Sequence, residues 1–511
     1  DRLSHVVSKN KIGSERRNSI SVLNTCCRLQ QDGGRWSIEN DRLFATIDAD
    51  GCLKVTVKAE NGKNGKEYAL HHKIKDLADA GDTYNFDALA GESYAQARLI
   101  EVLPGKRGPL VSSLIVKYEL GIAEKIDLEP SVEMITVDGI TTPTYKKKKA
   151  RSSVRLQHVF KTEIELRRSL PILFFETTWD NRSSDHRLEV FFETGARVKR
   201  VFSENHFSLV EREIVPFLPV QQVAPGTESP LDRYPCQRFF IANGQVFLNT
   251  GLPEFGATVN SVSMTILRAV STLSRADLRS RGGGAGPSLP TPEANCLGMN
   301  KVNYGWAPLS IDSISESGLS DAGDLGSNTD SNTGSSNDRD AESAFGIDLS
   351  RAHITEAYNL AQQYENLTWT TFGPLPLKEK SFLQIENTSV KVVAIRIVEN
   401  PDSIEFRLLN TALSKQSTML DFNLEHCEAM LTTADGRVIE ILNALKPESS
   451  GAVAKSKGSA KAQEPISCAP DVEECLSQAA YKVDLGPNAL VSVRLRLPGM
   501  NDGPSKVRGT K

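Results

Sequence analysis

The sequence predicts a mainly β protein: a large antiparallel β-sandwich over 32–309 and a smaller C-terminal β domain over 349–500. Three observations carry this. Runs of β-branched and aromatic residues recur along the chain, broken by Asn, Gly and Pro. Apolar residues alternate at period 2, as at Leu43, Ala45 and Ile47. Few stretches show the 3.6-residue apolar period of a helix.

Residues 1–31 have mixed polarity and read as loop with a short helix or strand. Order begins with RWSIENDRLFATIDADGCLKVTV, in which two alternating runs flank an Asp-Gly turn at 48–51, the signature of a hairpin. Strands follow at 110–120, 154–181, 186–195 and 237–255. The basic run Lys146–Lys149 with Arg151 reads as part of a solvated loop. Residues 310–348 and 447–467 are rich in Ser, Asp, Gly, Lys and Ala and cannot bury enough apolar area to offset chain entropy, so both read as disordered inserts. Between and after them the β pattern resumes at 382–410, 427–442 and 489–497, and 501–511 forms a tail.

Composition bounds the function. Sixty basic and 64 acidic residues give a net charge of −4, which argues against nucleic acid as the main partner. No run approaches the ~20 apolar residues of a membrane span. The sequence opens without Met and without an apolar leader, so it reads as a fragment or processed product and indicates no compartment. The eight cysteines contain no C-x-x-C pair. Asn181, Asn366 and Asn387 begin N-x-[ST] triplets, about as many as chance supplies. His71-His72 with Asp76 and Asp79 is the densest group of metal-ligating types. Neighbours on a strand point to opposite faces, so no metal site is assigned there. There is no G-x-S-x-G elbow and no P-loop, so no catalytic residue is assigned.

Three segments carry the polar chemistry. In DLADAGDTYNFDALAG (76–91), Asp82, Tyr84, Asn85 and Asp87 crowd around Gly81. Aromatic rings with carboxylates and carboxamides suit a sugar, whose C–H faces stack and whose hydroxyls hydrogen-bond, so these four are candidates for a substrate rim. In TTWDNRSSDHRLEVFFETG (177–195), Asp185, His186 and Arg187 open the second strand as a group that pins the turn. From 264, Met264, Ile266, Arg268 and Val270 share one face at period 2. An arginine on an apolar face is costly unless paired, which makes Arg268 a candidate for an interface. Gly282–Gly284, Gly286, Pro287, Pro290 and Pro292 then fix a long irregular loop.

Several blocks resemble the C-terminal β region of the family 38 glycoside hydrolases, the α-mannosidases. IENDRLFATIDADGCL (38–53) is similar to the opening of that family's large β domain. GDTYNF (81–86) resembles its bacterial and mannosylglycerate-hydrolase branch, and NRSSDHRLEVFF (181–192) its Asp-His-Arg-Leu turn. LNTGLPEF, TILRAVSTLSR and AGPSLPTPEANCLG (248–298) resemble three consecutive blocks. The resemblance implies a mutarotase-like supersandwich, with residues 1–31 as a remnant of a helical bundle. It also implies that the nucleophile, the acid/base and a zinc belong to an N-terminal catalytic barrel that these residues do not match. The implied partners are an α-mannoside and that barrel. Asp82, Tyr84, Asn85 and Asp87 become rim candidates, and Asp185, His186, Arg187 and Arg268 candidates for the interface between domains. The alternatives are a mannosylglycerate hydrolase and a non-catalytic carbohydrate-binding or scaffold protein.

Overall fold

The structure is a computed structural model that describes residues 26–310, 349–365, 383–444 and 479–496, less short stretches within them (34, 49–50, 59–63, 138–139, 215–223, 225, 230–232, 350, 399–402, 413, 423–427 and 434). The stretches 311–348 and 447–467, residues 1–25 and the tail 501–511 lie outside the described residues, so the readings made of them do too. The protein is mainly β, as the alternation predicts, and every strand pairing is antiparallel. The chain divides into two compact units, Asp1–Leu367 and Thr368–Lys511.

Three large sheets and a two-stranded one, Ile126–Val137 with Ile140–Arg151, build the first unit among the described residues. Five strands between Arg28 and Leu70 form a meander. Nine strands form the largest sheet, with Gly298–Pro308, Leu173–Asn181, Arg155–Arg167 and Val111–Ala123 side by side within it. Six strands form the third, with Ser261–Ala269, His186–Glu193 and Lys73–Ala78 adjacent. All three share one apolar core: Ile38 and Val55 from the meander, Phe175, Phe247 and Trp306 from the nine-stranded sheet, and Val190, Phe192 and Met264 from the six-stranded one. Burying these large side chains is the main driving force, each contributing about 1.5–3 kcal/mol. The Asn243-Gly244 turn in QRFFIANGQVFLN has positive φ at both residues, the geometry that favours Asn-Gly in a two-residue hairpin.

The polar turn 182–185 joins strands of different sheets, because Leu173–Asn181 lies in the nine-stranded sheet and His186–Glu193 in the six-stranded one. The latter is buried on both faces over its first seven residues. Three of those residues, His186, Arg187 and Glu189, are ionisable and must therefore find partners inside.

Three sequence expectations change. Lys146–Lys149 and Arg151 lie in the strand Ile140–Arg151, paired over twelve residues with Ile126–Val137, not in a loop. The β-branched run ITTPT leads into that strand, and Lys148 stands opposite Glu129 in the register. Arg268 does not share a face with Met264 and Ile266. Leu267 pairs with Leu188 and Thr265 with Glu189, so Ile266 is an extra residue, and the bulge inverts the alternation. His71 and His72 are not neighbours on a strand but form the corner between Asn64–Leu70 and Lys73–Ala78, which belong to different sheets.

A helix, Arg351–Glu365, was not expected from the sequence. It lies within the first unit and contacts the strands Phe239–Ala242 and Gln245–Thr250 of the nine-stranded sheet. The second unit is a smaller sandwich of three- and five-stranded sheets around Phe406, Leu420, Phe422, Tyr481 and Val493. No helix among the described residues is long and apolar enough to cross a membrane.

Candidate functional site

The loop 79–91 leaves the strand Lys73–Ala78 at one end of the six-stranded sheet and folds against the irregular loop 270–291. Its turn depends on Gly81, where a Cβ would stand 2.0 Å from the Asn85 carbonyl oxygen. Backbone bonds close it, Ala80 N–H to Asp87 O at 2.8 Å and Asp82 N–H to Asn85 O at 3.0 Å.

Three buried carboxylates organise both loops. Asp82 accepts from the amides of Tyr84 (3.0 Å) and Asn85 (2.8 Å) with one oxygen. With the other it accepts from the Arg275 amide (2.8 Å) and the Arg281 guanidinium (2.5 Å). Burial alone would raise its pKa, but the Arg281 hydrogen bond and the amides of Asn85 and Arg275 outweigh burial and hold it below the usual carboxylate value. Asp79 accepts from the Gly81 and Asp87 amides and from Arg268 Nε at 2.8 Å. There burial dominates, and the pKa is raised. Asp87 takes the Arg279 amide at 3.1 Å and lies 3.4 Å from the Arg279 guanidinium. Asn85 accepts from Arg281, and the Ser274 hydroxyl accepts from the amides of Ala285 and Gly286.

The four rim candidates thus separate. The structure brings Asp82, Asn85 and Asp87 together, but inward: each is bonded by a residue of the opposing loop and they are at most 8% exposed. Tyr84 alone projects, 57% exposed, with the Arg281 guanidinium 6.0 Å from its ring centre and its hydroxyl over Gly286. The arrangement presents an exposed phenol on two loops tied together by buried ion pairs. Sequence reading missed Arg275, Arg279 and Arg281. Their spacing opposite an Asp-rich loop was the available signal of charge complementarity.

The four interface candidates also separate. Asp185, at φ 55°, accepts the Ile126 amide, and its carbonyl accepts the Asp79 amide. His186 bonds Asp76 at 2.8 Å and Asn181 Oδ1 at 3.1 Å, and Arg151 lies 2.6 Å from the other Asp76 oxygen. Arg187 lies on the opposite side of its strand, against the Phe86 ring (3.5 Å) and 3.2 Å from Glu189. Glu189 also binds Arg233, Tyr94 and Ser263, and despite burial the Arg233 and Arg187 guanidinium groups hold its pKa near 2. No hydrogen bond joins Asp185, His186 and Arg187 to one another among those described; each pins a different neighbour. Arg268 spends its donors on Asp79 and the Asp82 carbonyl.

His72 does not act as a metal ligand. Its two ring nitrogens face the hydroxyls of Tyr118 (3.1 Å) and Tyr304 (2.8 Å), and burial pulls its pKa down to about 3. Among the described residues no three His, Cys, Asp or Glu side chains are grouped to hold a metal ion. The described residues therefore do not fit a zinc, which the family resemblance assigns to the barrel.

No family model and no curated protein sequence matches the chain. Solved structures share its fold, two of them as follows. One is an α-mannosidase from Enterococcus faecalis V583, with a TM-score of 0.57 and 17% identity over 90% of this chain and 42% of that one. The second, a glycosyl hydrolase family 38 protein from Enterococcus faecalis, gives 0.56 and 16% over 90% of this chain and 44% of its own. The fold of this chain is that of part of a family 38 glycoside hydrolase. It spans less than half the length of either protein. At these identities the likeness is one of fold, and it agrees with the family 38 blocks read between 38 and 298.

Proposed function

We propose that this chain is the C-terminal β half of an α-mannosidase-type glycoside hydrolase. The observation that carries the proposal is the fold shared over 90% of this chain with 42% of an α-mannosidase, on top of family-like blocks in family order. In this reading the first unit braces a catalytic barrel and lends Tyr84 to the rim of its sugar site. The carboxylates of a retaining hydrolysis, and the zinc, belong to the barrel. The engaged state of Asp79, Asp82 and Asp87 supports this division, because each is already bonded to an arginine or to backbone amides.

The test is turnover of an aryl α-mannoside by the purified 511-residue chain, alone and with a separately expressed barrel. The chain alone gives no turnover, and addition of the barrel restores it. Zinc-dependent hydrolysis by the chain alone would overturn the proposal, as would a barrel whose activity ignores this chain. The block GDTYNF favours one variant of the reading, in which the complete enzyme takes mannosylglycerate; a substrate comparison on the reconstituted pair separates the two.

A further inference from the structure

A trough of about 430 Å³ lies on the face of the nine-stranded sheet beside the end of the helix Arg351–Glu365. That volume falls within the roughly 300–1,000 Å³ of small-ligand sites. The trough shares no residue with the Tyr84 platform, so its chemistry is independent of the α-mannosidase reading.

Its floor has an ordered pattern. Glu163 stands directly opposite Glu176, Glu176 opposite Asn303, and Asn303 opposite Thr250. These four residues form one straight row across four adjacent strands. At ~4.8 Å per strand the row is about 14 Å long. Facing glutamates in a cross-strand pair are destabilising, so the row is not explained by sheet stability. Lysines offset the charges from the sides: Lys106 lies 3.2 Å from Glu163 and 2.6 Å from Glu165, and Lys301 lies 2.5 Å from Glu176. Arg167 adds a third cation, bonded to Glu165 at 2.6 Å and lying 4.0 Å over the Phe174 ring, against which Tyr364 stacks.

On the sheet face three carboxylates meet three cations, and the fourth carboxylate of the lining, Glu365 at the helix end, lies 3.4 Å from Arg238. Each ion pair nevertheless keeps unused lone pairs and N–H groups. A hydroxyl set beside such a pair can donate to the carboxylate and accept from the ammonium at once, and hydrogen bonds to charged groups are the stronger kind. A linear array of such pairs, continued by an amide and a hydroxyl, matches a ligand with many hydroxyls and no charge. We infer that this trough is a binding site for a neutral saccharide lying along the row Glu163, Glu176, Asn303 and Thr250. Its aromatic rings are covered by Arg167 and by each other, so recognition is through hydroxyl edges more than through ring stacking.

Saturation-transfer NMR and calorimetry on the intact chain test this, with methyl α-mannoside, α-linked mannobiose, maltose and cellobiose as probes. At least one neutral saccharide binds. Glu176→Gln and Asn303→Ala each weaken it roughly tenfold, about the effect of removing one hydrogen bond to a charged group. The Glu176 side chain is 41% exposed, so its substitution leaves the fold intact, which circular dichroism verifies. The inference is overturned if no neutral saccharide binds the folded chain, or if binding ignores both substitutions. It is also overturned if glucuronate or a polyamine binds more tightly than any neutral sugar, or if Tyr84→Ala alone abolishes binding.

Discussion

Removing the Asp82 carboxylate tests whether the two-loop platform is built as described. In Asp82→Ala the amides of Tyr84, Asn85 and Arg275 lose their acceptor, and the Arg281 guanidinium is left buried with its charge uncompensated. Arg281 is 5% exposed, so water cannot replace the lost partner cheaply. Breaking a buried ion pair from one side costs about 3–5 kcal/mol. Asp82→Asn keeps an acceptor for the Tyr84 and Asn85 amides and loses only the charge, so its cost is smaller. The double variant Asp82→Ala/Arg281→Met removes both charges and recovers part of the loss, giving a favourable coupling in a double-mutant cycle. Urea unfolding followed by tryptophan fluorescence reads these differences, because Trp179 and Trp306 lie in the core of the first unit. The pH dependence has a definite sign. The folded pKa of Asp82 lies below its unfolded value of about 3.9. Its contribution is therefore present above that pH and lost as the pH falls through the folded pKa. A cost below about 1 kcal/mol for Asp82→Ala, or a purely additive double variant, would refute the buried-pair account.

Other predictions rest on the same geometry. Tyr84→Ala leaves thermal stability nearly unchanged, because the ring is mostly exposed, yet weakens α-mannoside turnover by the reconstituted enzyme; a collapse of stability would show that the ring is structural. His72 is neutral in the folded protein, with a pKa near 3, whereas unfolded histidine titrates near 6.5. The unfolded state binds the extra proton between those values, so stability falls as the pH drops from about 6.5 towards 3. His72→Gln flattens that part of the stability profile, which acid titration of the melting temperature checks. Asn181 and Asn387 remain unmodified when the chain is secreted from a glycosylating host. The Asn181 amide nitrogen bonds the carbonyls of Ser183 and Asn295, and that of Asn387 bonds Gln416 and the Ser417 carbonyl. Intact-mass analysis of the folded protein tests this.

Local signals in the sequence carried over well where the physics is local. The alternation at Leu43, Ala45 and Ile47 became a strand with those three residues buried. The helix Arg351–Glu365 was not read from the sequence, although Ile354, Ala357, Tyr358, Ala361 and Tyr364 follow the helical period and are all buried. It was overlooked because the segment lies beside a low-complexity stretch. Arg268 was misplaced for a different reason. One extra residue in one strand inverts every later side chain, and a bulge leaves no trace in composition.

The sequence by itself determined the β class, the turn positions and the polar segments, because backbone propensity and period-2 burial act over a few residues. Only the tertiary structure decided which polar groups face inward. Asp82 finds Arg281 across 199 positions, and His72 finds Tyr304 across 232. Burying an ionisable group is tolerable only beside a matching partner, and that partner is chosen by sheet order and register. Tyr84 and Asp82 are therefore alike in the sequence as polar loop residues. In the fold one is left exposed, and the other is consumed in holding the loop that presents it.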